Sequence, residues 1–279
     1  MKYLVVGANG QLGREITNFL SETGVHYTSF SSKELDITDR NRVFEVLESE
    51  RPNVILDAAA FTAVDKAEDE GKALNWAVNE EGTKNLAAAS VAVDATLIYV
   101  STDYVFDGTK EGAYVENDFV DPINEYGKAK LAGEIAIQAS GAKYYIVRTS
   151  WVFGEFGNNF VYTMRKLGRT LDKISVVDDQ RGKPTWTRTL AEFMIHLVKV
   201  NAKNGVYNLS NDGEATWFEF AKEILRDEMV VIEPVLSENF PTKASRPKNS
   251  VLDLEKAKET GFIIPSWQEA LHQLEKNIL

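Results

Sequence analysis

The chain has 279 residues, 44% of them hydrophobic and 26% charged, with a net charge of −11 and no cysteine. That length accommodates one large α/β domain, or such a domain with a smaller lobe, and an acidic chain suits nucleic acid poorly because phosphates demand Lys/Arg-rich surfaces. Without cysteine there is no disulfide, thiolate nucleophile or cysteine metal site, and His26, His196 and His272 lie too far apart in sequence to read as a zinc site.

Met1-Lys2 leads straight into an apolar strand and a glycine motif, unlike a signal peptide. Tyr3 to Ala8 is that strand, and Gln11 to Thr23 reads as a helix with Leu12, Ile16, Phe19 and Leu20 on one face. His26 to Phe30 follows as a second strand, Arg40 to Ser49 as a helix and Asn53 to Ala59 as a third strand. Lys84 to Val91 is part of a helix, Thr96 to Ser101 a fourth strand, Glu125 to Ala139 a helix and Lys143 to Thr149 a fifth strand. Strands that are apolar along their length and alternate with helices predict a parallel sheet covered on both faces. The expected fold is therefore α/β, a doubly wound Rossmann-like sheet whose ligands sit at the C-terminal ends of its strands.

Beyond residue 150 the pattern changes. Gly154, Gly157, Asn158 and Asn159 mark a loop, Ile174 to Val177 reads as a sixth strand of the same sheet, and Leu190 to Val200 as a helix behind it. From about Asn204 the elements shorten and prolines accumulate (Pro234, Pro241, Pro247, Pro265), which predicts a small C-terminal substrate lobe. Residues 1–150 and about 174–203 would form the dinucleotide-binding part, and about 151–173 with 204–279 the lobe. No apolar run approaches the ~18 residues of a membrane span, so a cytoplasmic protein without membrane partners is expected.

Gly7-Ala8-Asn9-Gly10-Gln11-Leu12-Gly13 is a G-x-x-G-x-x-G between the first strand and the first helix. Glycines there let the backbone approach a pyrophosphate, and the helix N-terminus supplies N–H donors and a positive dipole. Gly7, Asn9, Gly10, Gln11, Leu12 and Gly13 are the candidate pyrophosphate residues. The end of the second strand normally carries an acid for the ribose 2′-hydroxyl of NAD. Here it reads Ser29-Phe30-Ser31-Ser32-Lys33, with no acid before Glu34. Hydroxyls such as Ser31 and a cation suit a 2′-phosphate, so NADPH is the expected cofactor, with NADH possible; Asp36 and Ile37 would border the adenine pocket.

Ser101-Thr102-Asp103 ends the fourth strand, and Tyr126-Gly127-Lys128-Ala129-Lys130 opens the following long helix. Tyr126 and Lys130, at i and i+4, share a helix face. A nearby ammonium favours the phenolate, which would make Tyr126 an acid/base usable near neutral pH, with the Thr102 hydroxyl on the same carbonyl oxygen. With 10 Tyr in the chain, a Tyr-x-x-x-Lys pair arises by chance about 0.7 times, and Tyr162/Lys166 is a second copy. Position separates them: only the first copy follows a strand ending in Ser/Thr and feeds the fifth strand.

Together with Ala58-Ala59-Ala60-Phe61-Thr62-Ala63-Val64-Asp65, the run Ser101 to Gly108 and Arg148-Thr149-Ser150-Trp151-Val152-Phe153-Gly154, these motifs resemble the extended short-chain dehydrogenases, and more narrowly the dTDP-4-dehydrorhamnose reductase family. Asp179 to Thr185 and Arg246 to Ser250 fit the same likeness. The resemblance implies reduction of the 4-keto group of dTDP-4-dehydro-L-rhamnose. It implies that Ala60, Phe61 and Thr62 line the third strand's end beside the pyrophosphate. It makes Tyr126 the proton donor and Lys130 its tuning and ribose-binding partner. Thr102, Asp103, Trp151 and Asn159 would meet the sugar, and Arg246 the diphosphate. Some members of the family dimerise through a carboxylate-held Mg²⁺, and Glu15 fits one ligand position. Arg188 stands where another would be needed, and a cation cannot ligate Mg²⁺. No metal is therefore expected, a monomer or weak homodimer is, and Glu15 reads as an exposed helix residue.

Two other readings compete. A nucleotide-sugar dehydratase or epimerase could use the same scaffold, but Tyr104 follows Asp103 where a dehydratase typically has a second carboxylate. A non-catalytic subunit, like the β subunit of methionine adenosyltransferase, could carry a similar Ser-Thr-Asp-Tyr-Val-Phe-Asp-Gly run.

Overall fold

The structure, a computed structural model, describes residues 1–278. In chain order the first part holds β1 (Tyr3–Val6), α1 (Gln11–Glu22), β2 (Tyr27–Phe30), α2 (Arg40–Glu50) and β3 (Val54–Asp57). Next come α3 (Lys72–Trp76), which runs through a π-helical stretch (Ala77–Gly82) into α4 (Thr83–Ala92), and then β4 (Thr96–Thr102), α5 (Glu125–Ala139) and β5 (Lys143–Thr149). The remainder holds β6 (Val152–Phe153), α6 (Phe160–Gly168), β7 (Lys173–Val177), β8 (Arg181–Gly182), β9 (Thr185–Trp186), α7 (Thr187–Lys199) and β10 (Gly205–Asn208). It continues with β11 (Ala215–Thr216), α8 (Trp217–Ile224), β12 (Val231–Val235), α9 (Glu255–Glu259) and α10 (Trp267–Ile278).

Six strands form one sheet in the order β2-β1-β3-β4-β5-β10, every neighbouring pair parallel. Side chains alternate across it. Tyr3 and Val5 pack with Ile16 and Leu20 of α1 and Phe193 and Leu197 of α7. Leu4 and Val6 pack with Val43 and Leu47 of α2 and Leu86 of α4. All four residues of β1 and of β3 are buried, which is why these strands read as unbroken apolar runs and not as an alternation.

One strand assignment is corrected. The segment expected as the sixth sheet strand, here β7, lies outside the sheet and pairs in parallel with β12; the sixth strand is β10, beside β5. β7 alternates, with Lys173 and Ser175 exposed and Ile174 and Val176 buried, as a strand does when only one face is covered. That covered face joins Met164, Phe220 and Leu271 in a hydrophobic cluster distinct from the two that flank the sheet. β10 is only four residues long and reads Gly-Val-Tyr-Asn, too short and too polar to announce itself. The helix expected behind the sheet does pack there, as α7.

The link between fold and site is α5. Its first turn lies so close to the chain after β4 that a Cβ on Gly127 would stand 2.2 Å from the Tyr104 carbonyl oxygen. Asn124 caps the helix by accepting from the Gly127 N–H at 2.7 Å, satisfying one of the otherwise orphaned first-turn donors. In its middle, Glu134 accepts from Arg148 of β5 at Nε (2.9 Å) and at the terminal nitrogen (2.7 Å). Ser101 of β4 donates to the same carboxylate at 2.5 Å. The two charged side chains are 1% and 5% exposed. Removing one partner of such a pair strands a buried charge and costs about 3–5 kcal/mol, whereas replacing both with apolar groups costs far less. Glu134→Ala and Arg148→Met should therefore each lose stability of that order in urea unfolding. The double variant Glu134→Leu/Arg148→Met should lose clearly less than the sum of the singles.

Candidate active site

A cavity of about 580 Å³ opens at the C-terminal ends of the sheet strands. Its walls come from the glycine turn before α1, the ends of β3 and β4, the face of the first turns of α5 that carries Tyr126 and Lys130, and the chain after β5, with Trp217 reaching in from α8. Of the residues singled out in the sequence, Asn9, Gly10, Gln11, Leu12, Ala60, Thr62, Thr102, Asp103, Tyr126, Lys130 and Trp151 line it. The long-range packing of four separate strand ends brings them together.

Gly7 and Gly13 do not line the cavity; they make its rim possible. Gly7 adopts φ +74°, which favours glycine, and a Cβ on Gly13 would come within 2.2 Å of the Gly7 carbonyl oxygen. Gly10 begins α1 without any side-chain cap. The first-turn N–H groups of α1 are therefore left for a ligand, which fits an anionic pyrophosphate at the positive end of the helix. Gln11 is steadied by its amide, which donates to the Val152 carbonyl at 3.3 Å.

Tyr126 is half-buried in the wall of the cavity. Burial pushes its phenol well above the ordinary range, the Asp103 charge pushes it further, and a hydrogen bond with Thr102 pulls it back. The sequence-based expectation that Lys130 lowers this pKa is not met: the protein's interior dominates, and Tyr126 is a neutral phenol with its proton in place. Lys130 is 1% exposed, with its ammonium 4.0 Å from the Tyr99 ring centroid. Burial lowers its pKa, while Asp57 and Glu134 raise it. Asp57, at the end of β3, is displaced upward by burial and held down by Lys130 and the Ala59 N–H. Thr102 donates to Asp103 Oδ1 at 3.0 Å and accepts from the Tyr104 N–H at 3.2 Å. The Asp103 carboxyl, 2% exposed, is raised by burial to about 7, against hydrogen bonds from Ser250 and Thr102.

Other sequence candidates lie elsewhere. Ser31 sits at the end of β2, bonded to Glu34. Asp36 turns back onto Thr38, and Ile37 is buried in the core below α4. Phe61 has both backbone groups bonded to the Asn79 amide. Asn159 is spent capping α6, accepting from Tyr162 N–H and donating to the Gly154 carbonyl. Arg246 pairs with Asp65 at 2.8 Å and lines a second cavity of about 760 Å³, beside Phe160, Trp217 and Phe240. Tyr162 points away, donating to the Glu155 carbonyl at 2.8 Å.

Glu15 is not an exposed helix residue: it is 3% exposed. It faces the N-terminal turn of α7, where Arg188 binds it at 3.4 Å while also holding Glu22 at 2.5 Å and Glu192 at 2.9 Å. A guanidinium standing among three carboxylates already pairs with them and has no lone pair to ligate a cation, so these residues do not fit a metal.

Sequence reading missed Asp57 and Trp217. Asp57 had a signal, an acid closing the apolar run Val-Ile-Leu-Asp. Trp217 had none at long range. It opens α8 behind a capping box in which Thr216 and Glu219 bond reciprocally, and it reaches the site by stacking on Trp151, rings 3.7 Å apart and 10° from parallel. Trp151 itself has φ +48°, a costly conformation for a bulky residue that marks functional sites.

The family profile described as RmlD substrate binding domain matches residues 1–279. The dTDP-4-dehydrorhamnose reductase of Aggregatibacter actinomycetemcomitans is 39% identical over 289 aligned residues, covering 98% of both chains. A crystal structure of dTDP-4-dehydrorhamnose reductase from Bacillus anthracis in complex with NADP superposes with a TM-score of 0.95 at 40% identity, covering 99% of each chain. The Clostridium acetobutylicum reductase superposes with a TM-score of 0.96 at 42% identity, over 100% of this chain and 99% of that one. With its whole length matched, the chain belongs to the RmlD substrate binding domain family.

Proposed function

We propose that this protein reduces the 4-keto group of dTDP-4-dehydro-L-rhamnose to give dTDP-L-rhamnose, using NADPH and able to use NADH, in the cytoplasm. The observation that carries the reading is the convergence of Tyr126, Lys130 and Thr102 in one cavity with the uncapped first turn of α1. The sheet and its helices would hold the dinucleotide. The lobe would hold the nucleotide end of the substrate in the cavity where Arg246 and Trp217 lie.

Bound at the strand ends, the reduced nicotinamide supplies a hydride to the sugar carbonyl carbon. The chain's own work is proton management. Tyr126, neutral because it is buried, gives its phenolic proton to the C4 oxygen as negative charge develops there. Thr102, by turning its hydroxyl from Asp103, would donate a hydrogen bond to the same oxygen and hold it in register. Lys130 offsets the phenolate left behind, and its ammonium holds the ribose hydroxyls. Trp151 presents an apolar face to the sugar. Arg188 leaves no role for Mg²⁺, and the expected state is a monomer or weak homodimer.

Tyr126→Phe should keep dinucleotide binding and lose turnover by ~10²–10⁴-fold, whereas Tyr162→Phe should be nearly silent; steady-state kinetics beside dinucleotide titrations check this. Deuterium at the transferring position of NADPH should appear at sugar C4 of the product, and any other position would exclude simple ketone reduction. EDTA should leave turnover and sedimentation unchanged. Asp103 supplies a pH signature. Its charge opposes ionisation of Tyr126, so turnover should fall as pH rises through about 7, and Asp103→Asn should flatten that limb. Its folded pKa lies above the unfolded 3.8, so the folded state binds the proton more tightly. Asp103 therefore costs stability progressively as pH rises from about 4 to about 7, and the Asn variant should lack that loss in urea titrations.

A further inference from the structure

The chain after β3 carries Ala60 and Thr62 to the cavity wall, yet residues 58–63 belong to no helix or strand. Main-chain groups without a ladder need other partners, and at Phe61 one side chain supplies both. Asn79, 1% exposed, accepts from the Phe61 N–H at 3.2 Å and donates to the Phe61 carbonyl at 3.0 Å, as a neighbouring strand would. The Phe61 ring turns to Gly71, where an added Cβ would stand 2.5 Å from it. The amide's orientation is set from a distance. The Asn79 nitrogen also donates to Asn75 Oδ1 at 2.8 Å, and the buried Asn75 donates to the Glu125 carbonyl at 2.9 Å. A carbonyl only accepts, so Glu125 fixes the turn of Asn75, and Asn75 that of Asn79. The series starts at the first residue of α5, beside Tyr126, and ends in the cavity wall. Asn79 lies in the π-helical stretch, a geometry frequent at functional sites. Its own carbonyl is pinned by the Tyr99 hydroxyl at 3.3 Å and by Gly133 of α5, where a Cβ would come within 2.4 Å of it.

Resting on the reading that this cavity binds a nicotinamide dinucleotide, we propose that Asn79 is a positioning residue for it. From behind the cavity wall, the amide clamps the main chain of Phe61 and so holds Ala60 and Thr62 where the dinucleotide lies. The loop has two other fixed points. At one end Ala59 abuts the glycine turn, where a Cβ on Gly7 would stand 2.6 Å from its nitrogen. At the other, Asp65 accepts from the Ala244 N–H and from Arg246. Asn79 secures the span between them, so the dinucleotide meets a wall already ordered. Without the clamp, binding has to order that wall itself, and affinity falls.

The purified full-length chain tests this by calorimetric titration with NADP⁺, thermal melting and steady-state kinetics. Asn79→Asp keeps the shape and the oxygen facing the Phe61 N–H, but sets an acceptor against the Phe61 carbonyl. Its Kd for NADP⁺ should rise roughly tenfold, the KM for NADPH should rise with it, and the KM for the keto-sugar should stay within twofold. Asn79→Ser, too short to reach both groups, should give a rise of the same kind and serves if the Asp variant does not fold. Asn75→Ala leaves both Phe61 bonds in place and should raise Kd less than threefold. Asn208→Asp is the control for lost stability. It removes a buried donor to the Tyr114 carbonyl in β10, which does not border the cavity, and should lower the melting temperature without moving Kd. A folded Asn79 variant with Kd within twofold of wild type would overturn the proposal and leave the reductase reading intact. An equal rise in Asn75→Ala or Asn208→Asp would also overturn it, because the weakening would then follow from general loosening. A wild-type chain that bound no NADP⁺ would overturn this inference and the reading beneath it together.

Discussion

The site depends on a buried ion pair that takes no part in the chemistry. Glu134 and Arg148 meet where β4, β5 and α5 converge. Glu134 lies one helical turn beyond Lys130 and two beyond Tyr126. Fixing its position against two strands therefore fixes the rotation and height of the helix that carries both site residues. Ion pairs this deep are poor sources of net stability but costly to break. Their value here is positional: α5 has one acceptable register on the sheet, and the register puts Tyr126 beside the end of β4. Gly127 and the Asn124 cap secure the same helix from its other end.

Around that helix the protein concentrates ionisable groups away from water. Asp57, Asp103 and Lys130 are almost wholly enclosed and Tyr126 is half-buried, and burial displaces every one of them toward its neutral form. A low-dielectric setting makes each charge sensitive to its neighbours. Lys130 stays cationic largely through the two carboxylates, Asp57 and Glu134, that come from different elements. The ammonium's charge is thus a property of the assembled fold and not of the Tyr-x-x-x-Lys spacing.

Much of this was legible in the chain. Strand after strand of uninterrupted apolar residues followed by helical periodicity specifies a parallel sheet. The glycine turn follows β1, the Ser-Thr-Asp run ends β4 and the Tyr126/Lys130 pair opens the helix after it, so the topology of a parallel sheet draws them to one edge. What stayed hidden has physical causes. β7 and β10 are both short, and neither burial on one face nor pairing partner is written into five residues; β10 is recognisable only once β5 is in place beside it. Glu15 reads as a surface acid because its counter-ion, Arg188, stands 173 positions away. The upward displacement of Tyr126 follows from enclosure by elements distant in sequence, which outweighs the local influence of a lysine one turn along. Asn79 was visible as a letter, but its hold on Phe61 is a matter of side-chain direction.

The stacked pair Trp151 and Trp217 borders both cavities, since Trp217 lines each of them. Two indoles held face to face at 3.7 Å couple their electronic transitions, so the pair constitutes a chromophore distinct from an isolated tryptophan. The protein thus carries an optical reporter built into the wall between its two chambers. Filling either chamber alters the environment of the same coupled rings, and near-ultraviolet dichroism registers occupancy of both without any label.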